Sequence, residues 1–426
     1  MSKYYDVGNT KKTNNTIRRS VRISHKTKRK LQEGSEMPSQ TSNQQQESSS
    51  STPLFTIGVI ADIQWAPVPN GHSYSGVPRF YQHALEAAKV AAQHFEEEKV
   101  HLVVNLGDII DGKCQDISID QWPEHLHHAT SHHNHHHHHA TDESNMNDSG
   151  YRALLSAVNA LAHYRTGPIL HTYGNHELYN VNRDMLGRIL NIPFVRESCG
   201  DLVGYYSYQV DPSIIQNTHK NTFHQPSLHH SDDFQPYRFI VIDSYDIAIM
   251  KRCSESSTKR KKAESILTEK NPNFPTRENS PDGLTGVHRR FVAFNGAIDT
   301  PQLTWLRTTL QEAKENNERV IILSHQPILP GSSSPMCLIW NYHDVLAILR
   351  EYSTIVAAAF AGHAHKGGYK RDELSGIHFR VFEAVLESEE PIKTYAFVDL
   401  YEQHLVVRGM GHCRSAIYDL DHLTLK

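Results

Sequence analysis

Short apolar runs recur along the chain from Leu54 onward: "LFTIGVIA", "HLVVNL", "ILHTY", "RFIVID", "RVIILS" and "IVAAAFA". Runs that lack strict alternation suit strands buried on both faces. Between the first two, Phe80, Tyr81, Ala84, Leu85, Ala88, Ala92 and Phe95 recur at helical spacing, and Tyr151, Leu154, Leu155, Val158 and Leu161 repeat the pattern further on. A third helix is predicted to begin with Asp299 or Thr300 as its cap and Pro301 in its first turn, repeating Leu303, Leu306 and Leu310. Strands alternating with helices predict an α/β layered domain. Near the C-terminus, "KTYAFVDLYEQHLVVRGMG" reads as two β runs joined by a polar turn, a hairpin that finishes a sheet.

Three stretches break this pattern. Residues 1–52 are rich in Ser, Gln, Asn, Thr and Lys and hold too little apolar side chain to offset ordering entropy, which predicts a disordered basic low-complexity arm. Residues at about 125–150, including "HLHHATSHHNHHHHHATDESNMNDSG", and at about 251–290, including "STKRKKAESILTEKNPNFPTRENSPDG", read as long surface loops inserted into a domain spanning 53–426. The histidine tract has no apolar scaffold to fix a coordination geometry, so it is not read as a metal store.

Composition narrows the class further. A formal charge of −4 gives no basic field of the kind a duplex-binding domain carries, so a nucleic-acid partner is not expected. Five scattered cysteines without a C-x-x-C pair argue against a disulfide framework or zinc ribbon. No run is long enough for a membrane span and the start has no apolar leader region. The expectation is a soluble monomer of the cytoplasm, or of the nucleus if the basic arm serves as an address.

The chemistry gathers where strands end. Asp62 and Gln64 follow the first run, Asp108 the second, Asn175 and His176 the third, His325 the fifth, and His363 and His365 the sixth. In open α/β sheets ligands collect at the carboxyl ends of strands. Each residue alone has a plainer reading: an Asp can cap a helix, Asn175 can hold a left-handed turn, His325 can be a satisfied core residue. Five strand-end motifs carrying oxygen or imidazole donors together point to a metal site.

The ordered set D-x-Q, G-D-x-x-D-G, G-N-H-E, S-H and G-H-x-H resembles the calcineurin-like metallophosphoesterases. The resemblance implies a four-layer αββα sandwich, two mixed β-sheets flanked by helices, around two divalent metal ions. Within it, "DIQ", "RFYQHAL", "FNGAIDTPQLTWL", "MCLIWNYHDVL" and "AGHAHKGGY" are similar to the manganese-dependent ADP-ribose/CDP-alcohol diphosphatases. Carried over by motif, Asp108 bridges both ions, with Asp62, Gln64 and His365 on one and Asn175, His325 and His363 on the other. Gln64 supplies an amide oxygen where an imidazole is usual, which favours Mn2+, with Mg2+, Fe2+ or Zn2+ as other occupants.

The expected reaction is direct hydrolysis of a phosphoanhydride in ADP-ribose, CDP-choline, CDP-glycerol or a related small-molecule nucleoside diphosphate derivative. His176 would protonate the leaving oxygen, and Asp111 would orient a ligand histidine from behind. The segments "APVPNGHSYSGVPR" and "SSSPMCLIWNY" are implied to build the substrate pocket, with Tyr74 stacking on a base, Arg79 on a phosphate and Cys337 lining the wall. Tyr74 and Cys337 read equally well as ordinary packing. A phosphomonoesterase or protein phosphatase on the same centre is the alternative activity.

Overall fold

A computed structural model describes residues 52–124, 148–210, 236–250 and 256–424. The basic arm and residues 125–147 of the histidine tract lie outside the described residues. In chain order the strands are β1 (Phe55–Ile60), β2 (Gly71–His72), β3 (Pro78–Arg79), β4 (Leu102–Asn105), β5 (Ile169–His171), β6 (Val195–Arg196), β7 (Leu202–Val203), β8 (Tyr206–Gln209), β9 (Tyr237–Val241), β10 (Arg319–Ser324), β11 (Val356–Ala361), β12 (Lys366–Arg371), β13 (His378–Glu383), β14 (Tyr395–Leu400), β15 (His404–Met410) and β16 (Ala416–Asp419). The helices are α1 (Tyr81–Glu97), α2 (Ser149–Leu161), α3 (Asn175–Asn180), α4 (Arg183–Ile189), α5 (Thr258–Lys270), α6 (Thr300–Glu315) and α7 (Tyr342–Glu351). All six apolar runs and all three predicted helices are present, and the C-terminal hairpin is the antiparallel pair β14–β15.

Two six-stranded sheets form, one ordered β16-β15-β14-β1-β4-β5 and the other β12-β13-β11-β10-β9-β8. Strands β1–β4–β5 of the first and β9–β10–β11–β13 of the second run parallel, while β14, β15 and β16 extend the first sheet and β8 and β12 the second by antiparallel pairing. Alternate residues of β1 explain the layering. Phe55, Ile57 and Val59 join Phe239, Val241, Leu323 and Phe360 in a core between the sheets, whereas Ile60 faces α1 and α2 on the outer side. Helices α6 and α7 cover the outer face of the second sheet through Leu306, Leu310, Val345 and Leu349. The result is the expected αββα sandwich with mixed sheets.

The segment 251–290 differs from the surface loop read from its polarity. Its described part holds α5, whose Ala263 and Leu267 pack with Phe291 and Trp340. Those two buried positions are one helical turn apart within a run of lysines and glutamates, too narrow an apolar seam to stand out by composition. Lys259 adds an ionic anchor: its side chain is 5 % exposed, its ammonium contacts Asp246, and it lies 2.8 Å from Glu197. At the other insert, Asp148 caps α2 by accepting from the Tyr151 N–H at 2.9 Å, so the helix begins inside the expected loop.

Removing one partner of a buried ion pair leaves the others uncompensated. Lys259→Ala should therefore lower unfolding stability by about 3–5 kcal/mol in denaturant titration. A loss below about 1 kcal/mol, the range of an exposed pair, would show that α5 is not anchored in this way.

Candidate metal centre

The parallel strands β1, β4, β5, β10 and β11 each deliver a donor at the carboxyl end. Asp62 and Gln64 follow β1, Asp108 follows β4, Asn175 opens α3 after β5, His325 follows β10, and His363 and His365 follow β11. Asp62, Gln64, Asp108 and His325 are no more than 1 % exposed. The backbone turns sharply to present them: Asp62, Gln64, Asp108 and His363 adopt φ of +50°, +45°, +54° and +65°. Non-glycine residues there cost on the order of 1–3 kcal/mol each and persist only where the surroundings hold them. Glycines supply the closeness. A Cβ on Gly174 would lie 2.1 Å from Asp108 Oδ1, and one on Gly362 would lie 2.7 Å from Asp62 Oδ2.

Asp108 is the hub. Its Oδ1 accepts the His176 backbone N–H at 2.8 Å, while its Oδ2 accepts from Gln64 Nε2 at 3.1 Å and lies 3.2 Å from His325 Nε2. Gln64 Nε2 also sits 2.9 Å from His365 Nε2. Ligand-type atoms of Asp108, His325 and His363 lie within 4.8 Å of one another. Both oxygens of Asp62 accept the His363 backbone N–H, and His365 Nε2 lies 3.6 Å from Asp62 Oδ1. Asn175 Oδ1 accepts the Tyr245 hydroxyl at 3.0 Å.

The His325–Asp108 contact shows what the cluster requires. His325 Nδ1 is 2.6 Å from the Leu106 carbonyl and must donate to it. A neutral ring then aims the lone pair of Nε2 at the Asp108 carboxylate, and Nε2 has no hydrogen-bond partner. Gln64 Oε1 is likewise a buried oxygen without one. Two buried lone pairs facing each other demand a cation, either a proton or a metal ion. Burial pushes the His325 ring down, but the Asp108 carboxylate outweighs it and holds the ring up at about 9. Burial pushes the Asp62 carboxyl up to about 6, against the pull of His365 and His325. Burial works the same way on Asp108, where His325, His176 and His363 prevail and hold the carboxyl below its ordinary range. Hard carboxylate and amide oxygens mixed with imidazole nitrogens suit a divalent first-row ion.

His176 stands apart from the donors. Its Nδ1 accepts the Gly112 N–H at 2.7 Å, so a neutral ring carries its proton on Nε2, which lies 3.9 Å from Asp108 Oδ2. Asp111 Oδ2 lies 3.4 Å from the same Nδ1. Asp111 therefore neighbours His176 without accepting a hydrogen bond from it, where the expectation placed it behind a metal ligand. Arg79 NH1 is 3.8 Å from Asp111 Oδ2, which brings its guanidinium beside His176. Tyr74 is fully exposed at the tip of the β2–β3 ribbon, so it is not a packing residue, and no described contact joins it to the cluster. Cys337 is buried with Ala361, Ala364 and Val381 behind the "GHAH" turn, and burial pushes its thiol up to about 12.

Four supporting residues had no role assigned from sequence. Glu177 accepts the backbone N–H groups of Asp108 and Gly174 at 3.1 Å each and that of Ile109, pinning the Asp108 turn to α3. Burial and the Asp108 charge push its carboxyl up to about 8. Asn295 Oδ1 lies 2.8 Å from His363 Nε2, Glu387 Oε1 2.9 Å from His365 Nδ1, and Tyr245 bonds Asn175 as above. Glu177 was visible in "GNHE" and Asn295 in "FNGAID"; Glu387 sits in "VLESEE" with nothing around it to mark it.

The calcineurin-like phosphoesterase family profile matches residues 55–367, and the chain belongs to that family. It is 34 % identical over 362 residues to the manganese-dependent ADP-ribose/CDP-alcohol diphosphatase of Oryza sativa subsp. japonica, covering 85 % of this chain and 92 % of that one. It is 31 % identical over 374 residues to the protein of the same name from Homo sapiens, covering 87 % and 94 %. The crystal structure of a dimetal phosphatase from Danio rerio superposes with a TM-score of 0.66 at 29 % identity, covering 87 % of this chain and all of that one. Among the described residues no helix is long and apolar enough to cross a membrane.

The protonation states fix the pH dependence of metal loading. An ion must displace the His325 proton below pH about 9, and the Asp62 proton as well below about 6. Manganese affinity should thus rise with pH through this range, with at least one proton released on loading at pH 7.5, measured by calorimetry in buffers of different ionisation enthalpy. Affinity that stays flat between pH 6 and 9 would contradict the assignment.

Proposed function

We propose that this chain is a dinuclear, manganese-dependent hydrolase of the phosphoanhydride bond in ADP-ribose, CDP-choline, CDP-glycerol and related nucleoside diphosphate derivatives. The products are a nucleoside monophosphate and a phosphorylated alcohol or sugar. The observation that carries the reading is the position of Asp108 Oδ2, reached by Gln64 from one predicted ligand set at 3.1 Å and by His325 from the other at 3.2 Å. A carboxylate so placed can give oxygen to two ions about 3.5–4 Å apart. Asp62, Gln64 and His365 would hold one, and Asn175, His325 and His363 the other, with Mn2+ favoured by the names of the relatives.

When bound, divalent ions supply the concentrated positive charge that draws in a diphosphate and offsets the charge growing on its oxygens. The chain's own residues do the rest. His176 holds a proton on Nε2 at the edge of the cluster, where it can pass to the departing oxygen, and the Gly112 N–H fixes the ring that carries it. Arg79, whose Nε is buried without a hydrogen-bond partner, is the proposed phosphate contact. Tyr74 remains the proposed stacking contact with the base, and Cys337 a proposed part of the wall, set behind the "GHAH" turn. Residues 53–426 act as one catalytic domain, monomeric and cytoplasmic, on a small-molecule substrate.

Manganese-loaded protein should hydrolyse ADP-ribose and CDP-choline far faster than p-nitrophenyl phosphate; the reverse order would favour a monoesterase. In the same assays His176→Ala should keep its metal and lose roughly 10²–10⁴ in rate on the two diphosphates, the range for a lost general acid. The loss should shrink on p-nitrophenyl phosphate, whose leaving group departs without a proton. A variant that loses metal, or is slowed equally on all three, would make His176 structural.

A further inference from the structure

Two loop segments stand behind one half of the donor cluster. Residues 244–247 follow β9, and residues 295–297 precede α6. They are laced into one platform. Ile247 and Ala297 exchange backbone hydrogen bonds at 2.9 Å each. Gln326, buried and next in the chain to His325, donates to the Ser244 carbonyl at 3.0 Å and accepts the Gly296 N–H at 3.3 Å. The guanidinium of Arg183 pairs with the buried Asp243 and donates to the Tyr245 carbonyl at 2.6 Å, which anchors the first segment.

From this platform, contacts reach all three donors predicted for one ion and fix what each presents. Asn295 Nδ2 donates to the Arg290 and Met336 carbonyls at 2.8 and 2.6 Å, so its Oδ1 must be the atom that faces His363 Nε2, 2.8 Å away. That oxygen can only accept, so Nε2 carries the proton and a neutral His363 offers Nδ1 to an ion. The Tyr245 hydroxyl donates to Asn175 Oδ1 at 3.0 Å, which uses one lone pair of that oxygen and leaves the other. The Tyr245 ring also lies 5.9 Å from the His325 ring, and Gln326 ties the chain beside His325 to both segments.

The donors predicted for the other ion are supported elsewhere. His365 Nδ1 is held by Glu387, and both oxygens of Asp62 accept the His363 backbone N–H. Among the described residues no hydrogen bond joins Asp62, Gln64 or His365 to the platform. The structure assigns Tyr245 and Asn295 as positioning residues for the ion of Asn175, His325 and His363, and for that ion alone. The assignment rests on the two-ion reading above and makes it asymmetric: the ions have separately built supports and can be loosened one at a time.

The test titrates manganese into the metal-stripped full chain by calorimetry. Wild type should take up two ions. Tyr245→Phe, which removes one hydroxyl and keeps the ring, should weaken one binding step by about 10–100-fold, the range for losing a hydrogen-bond partner of a metal ligand, and leave the other step unchanged. Asn295→Ala should weaken the same step, and Glu387→Ala the step that Tyr245→Phe spares. A general loosening of the fold would move both steps together, so selectivity between them is the mark of positioning. Crystals of Tyr245→Phe soaked in limiting manganese should keep the anomalous peak beside Asp62 and His365 and lose the one beside His325 and His363. Two steps weakened equally by Tyr245→Phe, or neither changed, would overturn the assignment. If wild type binds a single ion, the two-ion reading falls; the platform then stands if Tyr245→Phe still weakens that ion and falls if it does not.

Discussion

A buried carboxylate and a buried imidazole, each with a lone pair turned toward the other, cannot coexist without positive charge between them. Asp108 and His325 are in that position at 3.2 Å, with the other His325 nitrogen committed to the Leu106 carbonyl. The local architecture follows from keeping them there. Glu177 ties down the backbone of the Asp108 turn, Gly174 admits the carboxylate, and residues on three different strand ends accept left-handed backbone to complete the cluster. Without a metal ion the His325 proton supplies that charge, and an ion bound there would have to take its place.

The two halves of the centre belong to different sheets. Asp62, Gln64, Asp108 and Asn175 come from the β1–β4–β5 side, and His325, His363 and His365 from β10 and β11. The core between the sheets, with Phe55, Ile57 and Val59 against Phe239, Leu323 and Phe360, is therefore what brings donors more than 200 residues apart to one point. Second-layer residues repeat the theme. Asn295 links His363 to the Arg290 and Met336 carbonyls, and Glu387 holds His365 Nδ1. His363 and His365 are thus joints between the cluster and the segments around Asn295 and Glu387.

Much of this was legible because the signals were short and periodic. Apolar runs marked the strands, and the donors sat just beyond them, where the fold puts its ligands. The parts that were missed depend on tertiary contact. Helix α5 buries only a narrow seam in a run of charged residues, so composition concealed it. Asp111 was placed behind a metal ligand because the motif gives its spacing and not its neighbour, which is His176. Glu387 and Tyr245 belong to segments with no chemical signature; only the packing of β11, β13 and the β9 end against the cluster gives them a role.

The central claim is that one carboxylate serves two ions. Anomalous diffraction at the manganese edge from manganese-soaked crystals tests it most directly. The account predicts two peaks about 3.5–4 Å apart, both in bonding range of Asp108, one also contacting Asp62 and His365 and the other His325 and His363. A single peak, or two peaks of which only one touches Asp108, would contradict it.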